Sequence, residues 1–319
     1  MVPGYTHVPG NHCGSTALRN LLAFHGLELS EEMAFGLGAG ACFFYFELEG
    51  QSPSRFTNGR TARLEEQFVE LTGIELRLDT ADDLEESWSL ARDAVDTGRP
   101  ALLLSDLYYL DHYGKSAHFP GHAVVLAGYD GEVAYLSDTS FDDLQTTRLE
   151  NLARARHAQH PAYPLAGHMV SIPDGVEPHD PRGAVPRAIE YAVRQMVDPA
   201  LGEYQGLPAL SRLAEEISDW PSDAEDWQWC ARFNYQVIER RGTGGANFRR
   251  MYARFLEEAG YEESSLAGEA ADRWTGLAEV LYEASESDEP EPGVWSRIGD
   301  EAARVLEAER RLWTALGDT

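Results

Sequence analysis

Apolar residues recur on one helical face between Cys13 and His25, at Ala17, Leu18, Leu21, Leu22 and Phe24, which predicts a helix with Cys13 at its N-terminus. A second short helix is predicted over Ser30 to Leu37, where Ser30 suits the cap and Glu31 and Glu32 suit the positive end of the helix dipole. The aromatic run Ala41 to Leu48 reads as a strand. Helices are predicted at about Thr61 to Leu71 and Ala81 to Asp96, with a short strand, Ile74 to Leu78, between them. Three apolar runs follow, Ala101 to Leu107, His122 to Tyr129 and Val133 to Ser137, and Asp130-Gly131 between the last two is a hairpin turn signal. A polar hairpin-like stretch, Leu144 to Arg148, leads to a helix, Leu149 to His157, and a last strand, His168 to Ile172.

Pro173 to Gly183 holds Pro173, Pro178 and Pro181 and reads as a linker, and Ala184 to Leu316 reads as amphipathic helices broken by Gly and Pro. The expected organisation is an α+β domain over 1–173, a linker over 174–183 and an all-α domain over 184–319.

Charge alters the picture of the surface. The 319 residues include 54 Asp and Glu against 26 Lys and Arg, for a net charge of -28, and Lys115 is the sole lysine. Such a surface repels nucleic acid and anionic lipid, so neither is expected as a partner. Extreme acidity with almost no lysine also reads as halophilic adaptation to high intracellular salt, in which mutual repulsion of carboxylates is screened. No run of about 18 uninterrupted apolar residues occurs, and Met1 to Gly14 lacks a basic start and an apolar run, so a cytoplasmic protein is expected. Cys13, Cys42 and Cys230 are odd in number and widely separated, which suits neither a disulfide framework nor a metal motif. Cys42 and Cys230 are expected to be buried small hydrophobes.

Cys13 is different because it opens a helix and is followed by Gly14. A thiolate is favoured at a helix N-terminus and beside an imidazolium. His122 opens an apolar strand, and Asp138 closes the strand that returns after the turn, so the hairpin brings a carboxylate beside an imidazole. Cys13 as nucleophile, His122 as general base and Asp138 as the group that orients the histidine form a complete set for acyl transfer. His112 and His118 lie in the loop before His122, where lining the cleft, binding a metal with His122 and plain solvation are the alternatives, and solvation is the default expectation. No metal and no cofactor are expected. The loop Gly242 to Gly245, flanked by Arg240, Arg241, Arg249 and Arg250, is a candidate anion-binding site, weighed equally against a plain helix connection with surface arginines.

The order Cys, His opening a strand, then Asp at the end of the next strand is similar to papain-like peptidases and to double-glycine leader peptidases. Closer still, His12-Cys13-Gly14-Ser15-Thr16-Ala17-Leu18-Arg19-Asn20-Leu21-Leu22, followed by Leu29-Ser30-Glu31-Glu32-Met33-Ala34-Phe35-Gly36-Leu37-Gly38, resembles the N-terminal domain of the butirosin biosynthesis protein H family. The stretch Arg240 to Tyr252 resembles the uncharacterised helical domain that accompanies it. The resemblance implies a papain-like fold and an acyltransferase that draws on a thioester donor, an acyl-carrier protein or coenzyme A, and delivers to a small-molecule amine or hydroxyl. A thiol peptidase or amidase would use the same residues, and a non-catalytic binding protein would retain the cleft alone. Papain-like enzymes carry a Gln six residues before the cysteine as oxyanion donor; that position is His7 here, so His7 and Asn11 are the oxyanion candidates.

Overall fold

A computed structural model describes residues 1–115, 117–160 and 163–319. In chain order the elements are α1 (Cys13–Phe24), α2 (Glu31–Leu37), β1 (Ala41–Glu47), β2 (Arg55–Arg60), α3 (Leu64–Thr72), β3 (Arg77–Asp79), α4 (Leu84–Asp96), β4 (Ala101–Ser105), β5 (His122–Asp130), β6 (Val133–Ser137), β7 (Gln145–Arg148), α5 (Leu149–Arg156) and β8 (Met169–Ser171). Helices follow: α6 (Val185–Val197), α7 (Gly206–Glu216), α8 (Trp220–Asp223), α9 (Trp227–Glu239), α10 (Arg249–Glu258), α11 (Ser264–Ser285) and α12 (Pro292–Gly317). The chain is α+β with a helical C-terminal region. Among the described residues, no helix is long and apolar enough to cross a membrane.

Two compact units divide the chain: Met1–Ala34 with Glu65–Pro181, and Phe35–Leu64 with Arg182–Thr319. The first unit is built on a six-stranded antiparallel sheet of order β3-β8-β4-β5-β6-β7. Leu103, Val124, Leu126 and Leu136 project from one face of the sheet into a core shared with Ala91, Ala94 and Val95 of α4 and Leu152 and Ala155 of α5. The β5–β6 hairpin forms where the Asp-Gly signal places it, with Asp130 opposite Val133 and Gly131 at φ +55°. β4 pairs with β5 so that Ser105 faces His122. The ends of β4 and β6 and the start of β5 therefore lie at one end of the sheet, the level at which the candidate chemistry sits.

The second unit joins a hairpin from early in the chain to the C-terminal helices. The hairpin β1–β2 belongs with the helices rather than with the first 173 residues. Its aromatic side chains decide this: Phe43 packs on Trp274 with ring centroids 5.4 Å apart, Phe56 on Phe233 at 5.7 Å, and the Tyr45 hydroxyl accepts from Trp220 Nε1 at 3.2 Å. Desolvating large aromatic faces is worth about 1.5–3 kcal/mol per side chain, which outweighs sequence proximity. β2, with the sequence Arg-Phe-Thr-Asn-Gly-Arg, lacks the apolar alternation that marks a strand and escapes a reading by periodicity. Gly59 within it is required by packing: a Cβ there would lie 2.1 Å from Asn247 Oδ1. Cys42 and Cys230 are buried, and burial pushes the Cys42 thiol up to about 11.

Candidate active site

The segment before α1 is anchored by a carboxylate from α2. Glu31 is 4% exposed and accepts from the Asn11 N–H at 2.9 Å, the His12 N–H at 2.6 Å and the Thr16 hydroxyl at 3.0 Å. Gly10 is the residue that allows this approach, since a Cβ there would fall 2.2 Å from Thr16 Oγ1. Its N–H donates to the Thr139 carbonyl at 3.1 Å, which ties the loop before Cys13 to the residue after Asp138. His12 caps the helix: its Nδ1 accepts from the Ser15 N–H at 3.3 Å and its carbonyl from the Thr16 N–H at 2.9 Å. Cys13 thus opens α1, half-buried, with the first-turn amides around it.

The Cys13 thiol is hydrogen-bonded to the His122 ring. His122 Nε2 donates to Asp138 Oδ2 at 3.0 Å, so the bond to the thiol falls to the other ring nitrogen, and the three residues form one connected line. Burial alone disfavours charge on His122. The neighbouring Asp138 carboxylate and the hydrogen bonds to Asp138 and Cys13 outweigh it, and the ring pKa is raised to about 10. Burial likewise pushes Asp138 up, but the His122 charge and hydrogen bonds from His112 and His122 hold its carboxyl well below the usual range.

Asp138 is fully buried and receives two further donors. His112 Nε2 lies 2.9 Å from Oδ2, and the Tyr113 hydroxyl donates to Oδ1 at 3.1 Å. Thr147 Oγ1 accepts from the Asp111 N–H at 3.2 Å, which frees its proton for His112 Nδ1 at 3.3 Å and leaves His112 Nε2 as the donor to Asp138. Burial first, then the Asp138 charge, pushes the Tyr113 hydroxyl far above its ordinary value, so it remains a donor.

The family model for the N-terminal domain of butirosin biosynthesis protein H matches residues 12–139, and the model for a domain of unknown function (DUF4872) matches residues 150–316. The chain belongs to the butirosin biosynthesis protein H family. A comparison with curated proteins gives no match. In this family member the N-terminal match contains Cys13, His122 and Asp138 together.

Other expected residues are placed differently. His7 is engaged at both ring nitrogens: Nδ1 accepts from the Ser137 hydroxyl at 2.7 Å and Nε2 donates to the Phe141 carbonyl at 2.8 Å. The Asn11 side-chain amide donates to Glu31 at 3.1 Å. His7 is therefore committed to holding loops, whereas the bond to Glu31 uses one of the two N–H groups of the Asn11 amide. His112, expected to be solvated, is instead buried against Asp138. His118 is half-exposed but paired with the buried Asp106 at 2.7 Å and stacked on Tyr108 at 4.0 Å.

Of the arginine cluster, Arg249 is not available to an anion. Arg249 is fully buried, with Nε 2.7 Å from Glu309 Oε1, Nη2 3.2 Å from Oε2, and Nη1 donating to the carbonyls of Cys42, Gly59 and Asn247. Arg240 and Arg241 donate to Tyr235 and Gln236, and Arg250 to Thr275. The Gly245 amide donates to Thr243 Oγ1 at 3.0 Å and the following Ala246 amide to Glu239 Oε1 at 3.3 Å.

Nothing in the sequence marks His112 or Glu31 for these roles. A histidine ten residues before another, in a loop of aromatics, carries no periodic signal, and Glu31 is indistinguishable from an ordinary first-turn helix acid.

Proposed function

We propose that the chain is a thiol-dependent acyltransferase that moves an acyl or aminoacyl group from a thioester donor, an acyl-carrier protein or coenzyme A, to the amine or hydroxyl of a small molecule. The observation that carries this reading is the unbroken line from the Cys13 thiol through His122 to the buried Asp138. Family membership supports a biosynthetic enzyme over a scaffold.

In the first half-reaction His122 takes the thiol proton, and Cys13 sulfur attacks the thioester carbonyl. The tetrahedral intermediate expels the donor thiolate, which receives the proton from the His122 imidazolium. In the second half the acceptor N–H or O–H gives its proton to His122 as it attacks the Cys13 thioester, and Cys13 leaves as thiolate. Asp138 stabilises the imidazolium in both halves. With His7 engaged at both ring nitrogens, the developing oxyanion is assigned to the amides of Cys13 and Gly14 at the start of α1.

Intact-mass measurement after incubation with a panel of acyl-coenzyme A and acyl-carrier thioesters tests this. The expected result is a single acyl adduct that maps to Cys13, is absent in Cys13→Ala, and is discharged by an amine faster than by water. No adduct across the panel would overturn the reading, and discharge by water alone would favour a hydrolase.

A further inference from the structure

The two oxygens of Asp138 have different partners. Oδ2 serves His112 and His122, whereas the Tyr113 hydroxyl, at 3.1 Å, is the only donor to Oδ1 among the described residues. Asp138 is fully buried, so losing that donor would leave Oδ1 desolvated and unpaired. The same hydroxyl oxygen lies 3.5 Å from His122 Nε2, and the Tyr113 ring meets the His122 ring edge-on with centroids 5.6 Å apart. Phe141 packs edge-on against the tyrosine ring at 5.5 Å. One side chain therefore touches both members of the His–Asp pair.

The backbone holds it there. Tyr113 closes a single helical turn, Asp111–Tyr113, that ends on Gly114 in the left-handed region at φ +64°. The Asp111 carboxylate ties this turn to the start of α5: Oδ2 accepts from the Arg148 N–H at 2.8 Å and Oδ1 from Asn151 Nδ2 at 2.7 Å. A side chain carried on a turn pinned in this way can hold its neighbours to one geometry.

We infer that Tyr113 is a positioning residue, whose hydroxyl sets the plane of the Asp138 carboxylate and whose ring limits the swing of the His122 imidazole. Two histidines on Oδ2 hold the carboxylate at one point, about which it can still turn. A donor on Oδ1 supplies the second point and keeps Oδ2 facing His122. The hydroxyl also draws on the carboxylate charge, so its presence moderates the pull of Asp138 on the imidazolium. Ser140 and the Cys13 thiol are the other polar groups that face it.

The inference rests on the reading of Cys13, His122 and Asp138 as the reacting line. Alkylation of Cys13 by iodoacetamide needs no acyl donor, so a failure of acyl transfer and a failure of this role are distinguishable. In the wild type the alkylation rate is expected to change as His122 gives up its proton. Tyr113→Phe keeps the ring and removes the hydroxyl; the unshared carboxylate then holds the imidazolium proton more strongly, and the transition should move up by about half a pH unit or more. A side chain that merely filled space would alter the size of the rate and leave the transition in place. Asp138→Ala removes the group through which the hydroxyl acts, so adding Tyr113→Phe to it should change the rate by less than about twofold. A transition that does not move in Tyr113→Phe, or an undiminished effect of that substitution in the Asp138→Ala background, would overturn the role.

Discussion

His112 and His122 direct their Nε2 atoms at the same oxygen, Asp138 Oδ2, at 2.9 and 3.0 Å. One carboxylate oxygen thus serves two imidazoles, and the histidine expected in solvent is an orienting partner of the one expected in the site. A hydrogen bond to a charged group contributes about 1.5–3 kcal/mol. His112→Leu is therefore expected to slow acylation of Cys13 by about tenfold or more, whereas His112→Gln, which retains a donor, recovers most of the rate. Without the His112 donor, Asp138 acts more strongly on His122, so the alkaline limb of the rate profile should move up. Single-turnover acylation across pH measures both effects; equal rates in the Leu and Gln variants would show that His112 does not act through Asp138.

The His122–Asp138 pair also sets a pH window for stability. His122 has a folded pKa near 10, above its ordinary value of about 6.5, so its contribution is complete below about 6.5 and fades as pH rises through about 10. Asp138 is depressed, so its contribution is present above about 3.9 and fades as pH falls toward its lower folded value. The stability difference between wild type and Asp138→Asn, from urea denaturation, should be flat between about pH 4 and 6.5 and shrink on both sides.

Glu31 anchors the turn that presents Cys13 through its bonds to two amides and a hydroxyl. Glu31→Ala should cost about 2–4 kcal/mol, because it leaves buried donors without their charged acceptor. Iodoacetamide labelling of Cys13, done under conditions where the variant stays folded, should lose its single-exponential course as the turn loosens.

Arg249 carries structural rather than ligand-binding weight. Arg249→Leu leaves a buried Glu309 with only the indole N–H donors of Trp274 and Trp313 and should destabilise by about 3–5 kcal/mol. Arg240→Gln, on the surface, should change stability by less than about 0.5 kcal/mol. Denaturation curves for the two variants check the contrast.

We propose that the acidic surface is adapted to salt. Molar KCl screens repulsion among the 54 acidic residues, so the melting temperature should rise steeply between low salt and about 1 M KCl, the concentration at which the screening length falls to about 3 Å. A flat response would refute this.

The sequence by itself determined the elements that a short window can specify. Five apolar residues on one face set α1 and placed Cys13 at its start, and the apolar runs on either side of Asp130-Gly131 set the β5–β6 hairpin that carries His122 and Asp138. In each case the information lies in neighbouring residues, because periodicity and turn chemistry are local. Only the tertiary structure decided which polar groups are buried together. His112 reaches Asp138 across 26 residues, Arg249 reaches Glu309 across 60 and the Cys42 carbonyl across 207, and the polar strand β2 exists through its pairing with β1. A charged or imidazole side chain reads the same in sequence whether water or a carboxylate faces it. Desolvation makes the difference, and desolvation depends on residues that meet only after the chain has folded.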